Sequence, residues 1–73
     1  MTMRDLIIRC LIDEPFRAFM IRLDGGYELQ VTHPEVIVFI PGVDEIVVYD
    51  IGGYANTFHA QRIVSLRRAG GPA

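Results

Sequence analysis

The chain of 73 residues is long enough for one small domain and too short for two. Its net charge is −2, and all seven basic residues are arginine. This mild acidity argues against strong non-specific binding to nucleic acid, which depends on clustered lysine and arginine. Apolar residues make up 51% of the chain, and in so small a domain this excess predicts surface that another chain covers.

Cys10 is the only cysteine, so no disulfide can form within the chain. It lies in an apolar stripe away from both histidines, which is typical of a buried free thiol. Charged residues interrupt the first apolar run between Arg4 and Asp13, and no run approaches the roughly 18 apolar residues of a membrane span. We therefore expect a cytoplasmic protein without a membrane partner.

A helix is predicted at the start of the chain. Thr2 and Asp5 have the spacing of a capping box with a shorter acid. An apolar stripe at helical spacing follows, formed by Met3, Leu6, Ile7, Cys10 and Leu11. Pro15 disfavours helical geometry at the residue before it, so the helix should end near Asp13. Because so short a helix is unstable alone in water, the stripe must dock on the sheet or on a neighbouring subunit.

Residues 16–33 predict the hairpin around which the rest of the chain is organised. Two runs alternate in polarity, with apolar positions at Phe19, Ile21, Leu23, Tyr27, Leu29 and Val31. Asp24-Gly25-Gly26 lies between them, and glycine enters the positive-φ region of a tight reversal without a Cβ clash. Two strands alone are marginal, so the other elements must cover or extend this hairpin.

Two further runs, residues 36–40 and 46–51, are apolar on both faces apart from Asp50. An antiparallel sheet with one face in water should alternate, so we expect the helix or another subunit to cover the second face. The last strand is predicted within residues 58–66, and residues 69–73 form a flexible tail.

The sequence thus predicts a mainly β domain over residues 1–68. An N-terminal α-helix is followed by five short strands in meandering order, which form a strongly bent antiparallel small barrel.

Two resemblances accompany this prediction. With Pro15-Phe16-Arg17-x-Phe19, Asp24-Gly25 and His33-Pro34-Glu35, the chain is similar to a family of short, uncharacterised bacterial proteins. More distantly, a helix before five bent strands resembles the Sm-like (LSm and Hfq type) and SH3-like small barrels. Leu23-Asp24-Gly25 matches the Leu-x-Asn/Asp-Gly turn of the first Sm motif, and Phe58-His59-Ala60 is similar to the Tyr-Lys-His-Ala segment of Hfq proteins.

The Sm-like resemblance implies a ring in which strands four and five of neighbouring subunits pair. It also implies an RNA pocket built on an Asp-x-x-x-Asn type of loop between strands two and three. Here that loop holds His33-Pro34-Glu35, so the resemblance implies the ring more than it implies binding of uridine tracts.

Candidate residues for nucleic-acid contact are Tyr54, His59 and Arg62, because an aromatic ring stacks on a base and a cation holds a phosphate. The alternative role for His59 is a subunit contact. Candidate subunit-interface residues are Val36, Val38, Ile40, Val48 and Ile63. Thr32 and His33 point to opposite faces of a strand, so they predict no nucleophile-base pair.

The expected function is a non-catalytic interaction or structural module that forms a homo-oligomer. No cofactor, metal site or small-molecule substrate is indicated, since two histidines with separated acids lack metal-ligand spacing. The alternative is an Sm-like ring that binds RNA. An enzyme is the least supported class, because no constellation of catalytic donors is present.

Overall fold

The computed structural model describes residues 2–68, which form one α-helix, α1 (Met3–Leu11), and six β-strands. The strands are β1 (Phe19–Leu23), β2 (Glu28–Val31), β3 (Ile37–Phe39), β4 (Glu45–Tyr49), β5 (Ala55–His59) and β6 (Ile63–Arg68). They make two three-stranded antiparallel sheets, the first ordered β2-β1-β6 and the second β3-β4-β5. The flexible tail predicted for residues 69–73 lies outside the described residues.

The predicted five-stranded small barrel, of Sm-like or SH3-like type, is wrong. Residues 2–68 contain six strands in two separate sheets, and no closed barrel forms. The meandering order is also wrong, because β2 does not pair with β3 and β1 pairs with β6 instead. One turn of 3-10 helix, Ala60–Arg62, divides the last predicted strand, so that β5 belongs to the second sheet and β6 to the first.

Helix α1 begins as predicted. The Thr2 hydroxyl oxygen accepts the backbone N–H of Asp5, and the Asp5 carboxylate accepts the backbone N–H of Thr2, each at 3.2 Å. The helix ends at Leu11, two residues before the predicted Asp13. Ile7 is fully buried in the core, with Met3, Cys10 and Leu11 packed around it. The stripe therefore docks on the chain's own core.

The organising hairpin is confirmed. Strand β1 pairs with β2 so that Phe19 lies opposite Val31. The turn Asp24–Gly26 has φ values of 80° at Gly25 and 88° at Gly26, a region of backbone conformation in which residues other than glycine are strained. The two glycines that predicted this turn are therefore the residues that its backbone conformation requires.

A single cluster of buried side chains joins both sheets to the helix. Its members are Ile7, Phe19, Ile21, Leu23, Val31, Ile37, Ile46, Val48, Phe58, Ala60 and Ile63. Among residues 2–68, no polar or charged residue is buried. No helix in this part of the chain has the length and the apolar character needed to cross a membrane.

The two apolar faces of β3 and β4 have different environments. The core face carries Ile37, Ile46 and Val48. The opposite side, which we call the outer face of the second sheet, carries Val38, Val47, Tyr49, Ala55 and Thr57, with the pair Glu45 and His59 at one end. Val38 is 46% exposed and Tyr49 is 44% exposed. Of the two covers expected for this second face, the helix is therefore excluded, because α1 docks on the core side through Ile7.

Candidate interaction surfaces

The residues predicted for nucleic-acid contact lie apart. Tyr54 precedes β5 and His59 ends it, which separates them by about 16 Å along an extended strand. The half-buried His59 imidazole accepts the backbone N–H of Gln61 at 3.2 Å through Nδ1. Nε of Arg62 donates to Oδ1 of Asp24 at 2.8 Å. The guanidinium is therefore held at the turn between β1 and β2.

An exposed aromatic side chain in the same groove as Arg62 is Tyr27. Both line a shallow groove of about 330 Å³ between the hairpin turn and β5. The alternation of the hairpin assigned Tyr27 to the buried face, yet it is 66% exposed. The exposure of Tyr27 could have been predicted from its position directly after Gly26. The turn end of a hairpin extends beyond the elements that cover the middle of its strands.

The residues predicted for a subunit interface divide between core and surface. Val48 is completely buried and Ile63 is 8% exposed, so both side chains pack inside their own chain. Val36 and Ile40 are half-buried, and Val38 is exposed on the outer face of the second sheet. Val38 is therefore the predicted residue that offers surface for self-association.

A groove of about 690 Å³ lies between β2 and the loop that joins β4 to β5. We call it the β2 groove. Its walls are formed mainly by Glu28, Leu29, Gln30, Tyr49, Asp50 and Tyr54, with Met20, Val36 and Ile51 beside them. In the described part of the chain, no arginine or histidine lines this groove. It therefore combines aromatic and aliphatic surface with two acidic side chains.

Asp50 organises the loop on one wall of this groove. Its Oδ1 accepts the backbone N–H of Tyr54 at 3.0 Å, and its Oδ2 accepts the side-chain amide of Asn56 at 3.3 Å. These hydrogen bonds, the one from Tyr54 first, lower the pKa of Asp50 below its usual value of 3.8. At neutral pH this wall therefore carries a fixed negative charge.

The ring of Tyr54 lies over Gly52. A Cβ atom at position 52 would stand 3.0 Å from Cδ2 of this ring, closer than ordinary van der Waals contact. Tyr54 is 74% exposed and Ile51, in the same loop, is 98% exposed. The loop thus presents two large side chains to solvent at the mouth of the β2 groove.

A further cavity of about 630 Å³ lies between α1 and the ends of β1 and β6. Cys10, a half-buried free thiol, lines it, and an ion pair between Arg68 and Asp13 lies at the same place. No histidine lines this cavity in the described chain, and the acidic side chains beside the thiol are Asp13 and Glu14.

No cluster of three histidine, cysteine or acidic side chains that would suit a metal ion occurs within residues 2–68. Comparison with protein-family models, with curated proteins and with solved structures gives no match to this chain. A proposal for its function therefore rests on the surfaces described above.

Proposed function

We propose that this protein is a non-catalytic interaction module that assembles with a second copy of itself. The contact is the outer face of the second sheet, defined above by Val38, Val47, Tyr49, Ala55 and Thr57. The single observation that supports this proposal most is that these neighbouring side chains are uncharged and none is buried by the chain itself, while Glu45 lies at the end of the face and not at its centre. A contiguous apolar patch on a small protein marks an interaction site, whereas scattered apolar residues do not.

A second copy suits this face better than a charged partner does. Val38 lies opposite Val47, and Val47 lies opposite Thr57, so one row of β-branched side chains crosses the whole sheet. Two such flat rows can pack face to face across a two-fold axis, at the separation of about 10 Å that stacked sheets adopt. No charge would then be buried at the centre of the contact.

The test is the oligomeric state measured by light scattering over a range of concentrations. We expect the wild type to be larger than a monomer and Val38→Asp to be monomeric, because the two-fold axis places the new carboxylates in a desolvated interface. Val64→Asp is the matched control, since Val64 is 56% exposed on β6 and outside this face. It should leave the oligomer intact.

Circular dichroism should show that both variants remain folded, since both replaced side chains are exposed. A wild type that stays monomeric at every concentration would contradict the proposal. Equal dissociation by Val38→Asp and Val64→Asp would also contradict it, because the effect would then come from charge and not from this face.

RNA binding and a cytoplasmic location remain predictions from the sequence. The placement of Tyr54, His59 and Arg62 adds no support to the first, since Tyr54 and Arg62 line different grooves and Tyr54 and His59 lie at opposite ends of β5. Titration with single-stranded RNA at low salt tests it, and affinity that falls steeply with added salt would favour a nucleic-acid ligand over self-assembly.

A further inference from the structure

The β2 groove differs in charge from the outer face of the second sheet. Glu28 on one wall makes no ion pair within residues 2–68, although Arg22 lies opposite it on β1. Asp50 lies on the other wall and is anionic. Because both walls carry an acidic side chain and no described cation lines the groove, its charge favours a basic ligand.

One wall of this groove is a free sheet edge. Strand β2 pairs with β1 and with no other strand of the described chain. The N–H of Leu23 donates to the carbonyl of Tyr27 at 2.8 Å, which fixes the alternation of hydrogen bonds along the hairpin. Glu28 and Gln30 therefore direct their backbone N–H and C=O groups away from β1, towards the groove. Such groups form a template for an added strand.

The opposite wall offers aromatic rings. Tyr49 is 44% exposed and Tyr54 is 74% exposed, and both line the groove. The face of an aromatic ring attracts a guanidinium group more than it attracts a neutral side chain. Leu29 and Val36 add half-buried aliphatic surface. The groove thus pairs backbone hydrogen-bonding groups with a site for a cation and a site for an apolar side chain.

We propose that the β2 groove binds an extended, arginine-containing segment of another protein, which adds as a strand to the free edge of β2. Successive residues of a strand point to opposite faces, so arginines lie on the face of Glu28 while the residues between them lie on the face of Leu29. The groove shares Tyr49 with the self-association face, but Val38 does not line it, so the monomeric Val38→Asp variant should still bind the segment.

The probe is a short capped peptide that alternates valine and arginine, carries a fluorophore and is followed by anisotropy. We expect saturable binding to the full chain that is at least about tenfold tighter than binding of the same peptide with glutamate in place of arginine. Tyr54→Ala should weaken binding about tenfold, because it removes an exposed aromatic contact. Tyr27→Ala is its matched control and should not change binding, since Tyr27 lies outside the β2 groove.

The charge is tested by Glu28→Gln, which should weaken binding about two- to fivefold, as expected for one cross-strand ion pair. Glu45→Gln, an exposed acid on β4 outside the groove, should leave the affinity unchanged. Glu28→Arg should reverse the preference, so that the valine-glutamate peptide binds more tightly than the valine-arginine peptide.

Strand addition is tested by N-methylation of the peptide backbone, which removes donors while keeping the side chains. Loss of binding supports the proposal. Equal binding of the methylated peptide, equal binding of the valine-glutamate peptide, or equal weakening by Glu28→Gln and Glu45→Gln would each overturn it. Failure of the wild type to bind the valine-arginine peptide would overturn it as well, whatever its oligomeric state.

Discussion

Val38 and Val48 are the same type of residue on neighbouring strands, but they have opposite environments. Val48 is completely buried against the core, whereas Val38 is 46% exposed on the outer face of the second sheet. The sequence pattern assigned both to a subunit interface, because it shows only that both sides of these strands are apolar. The position of the first sheet decides which face of β3 and β4 is buried within the chain.

The difference between these two valines predicts different costs of truncation. Val48→Ala should lower the free energy of unfolding by about 2 kcal/mol, since it removes buried methyl groups and leaves a cavity. Val38→Ala should stay within about 0.5 kcal/mol when unfolding is followed on the monomer. Urea unfolding measures both, and equal costs for the two variants would show that the faces have been assigned incorrectly.

Asp50 predicts a dependence of stability on pH. Its folded-state pKa lies below the usual value of 3.8, so the carboxylate stabilises the fold above that pH and the contribution disappears as the pH falls through the lowered pKa. Asp50→Ala should therefore destabilise the protein at neutral pH, and the difference from wild type should shrink below pH 3.8. Urea unfolding at several pH values measures this difference. A difference that stays constant in acid would contradict the assigned hydrogen bonds.

At the scale of elements, Ile7 is the fully buried side chain through which α1 enters the core, with Met3, Cys10 and Leu11 partly buried against the same cluster. The helix has nine residues, too few to be stable alone in water. Ile7 is completely buried, while its neighbour Ile8 is 39% exposed. The two isoleucines therefore form a matched pair on one helix.

Ile7→Ala should lower the free energy of unfolding by about 2 to 5 kcal/mol, the range for deleting a large buried aliphatic side chain. Ile8→Ala should cost less than about 1 kcal/mol, because alanine is a good helix former and little buried surface is lost. Thermal or urea unfolding followed by circular dichroism compares them. Similar losses for both would indicate that α1 docks through a different face.

The helix and the first hairpin were predictable because their signals are local. The cap at Thr2 and the glycines between β1 and β2 determine the backbone within a few residues. The division between β5 and β6 was not predictable in this way. The turn Ala60–Arg62 is supported by a hydrogen bond from the N–H of Ala60 to the distant carbonyl of Asp44, at 2.9 Å. The β2 groove likewise joins segments that are neighbours only after folding.

At the scale of the whole molecule, a shared core holds the two sheets together, and an exposed ion pair lies at the surface where β1 ends and β6 begins. Phe58 comes from the second sheet and is 4% exposed within the cluster that includes the first sheet. The ion pair between Arg62 and Asp24 lies near the same junction, with side chains that are 47% and 61% exposed. An exposed pair of this kind contributes little, so the core should dominate.

Phe58→Ala should therefore cost about 3 to 5 kcal/mol of unfolding free energy, and Arg62→Ala should cost less than about 1 kcal/mol. Denaturant unfolding at low and high salt measures both. The small effect of Arg62→Ala should decrease further in high salt, because ions screen an exposed pair. An Arg62→Ala cost as large as that of Phe58→Ala would show that the core does not dominate the stability of the molecule.

The contact between Tyr54 and Gly52 has a consequence for the proposed peptide partner. One methyl group at position 52 would press against the tyrosine ring and displace it by a few tenths of an ångström, and neither residue belongs to the core cluster. Gly52→Ala should therefore change the aperture through which a peptide enters while the melting temperature stays nearly constant. A single substitution at Gly52 should then change peptide binding without changing thermal stability, although glycine itself has no side chain.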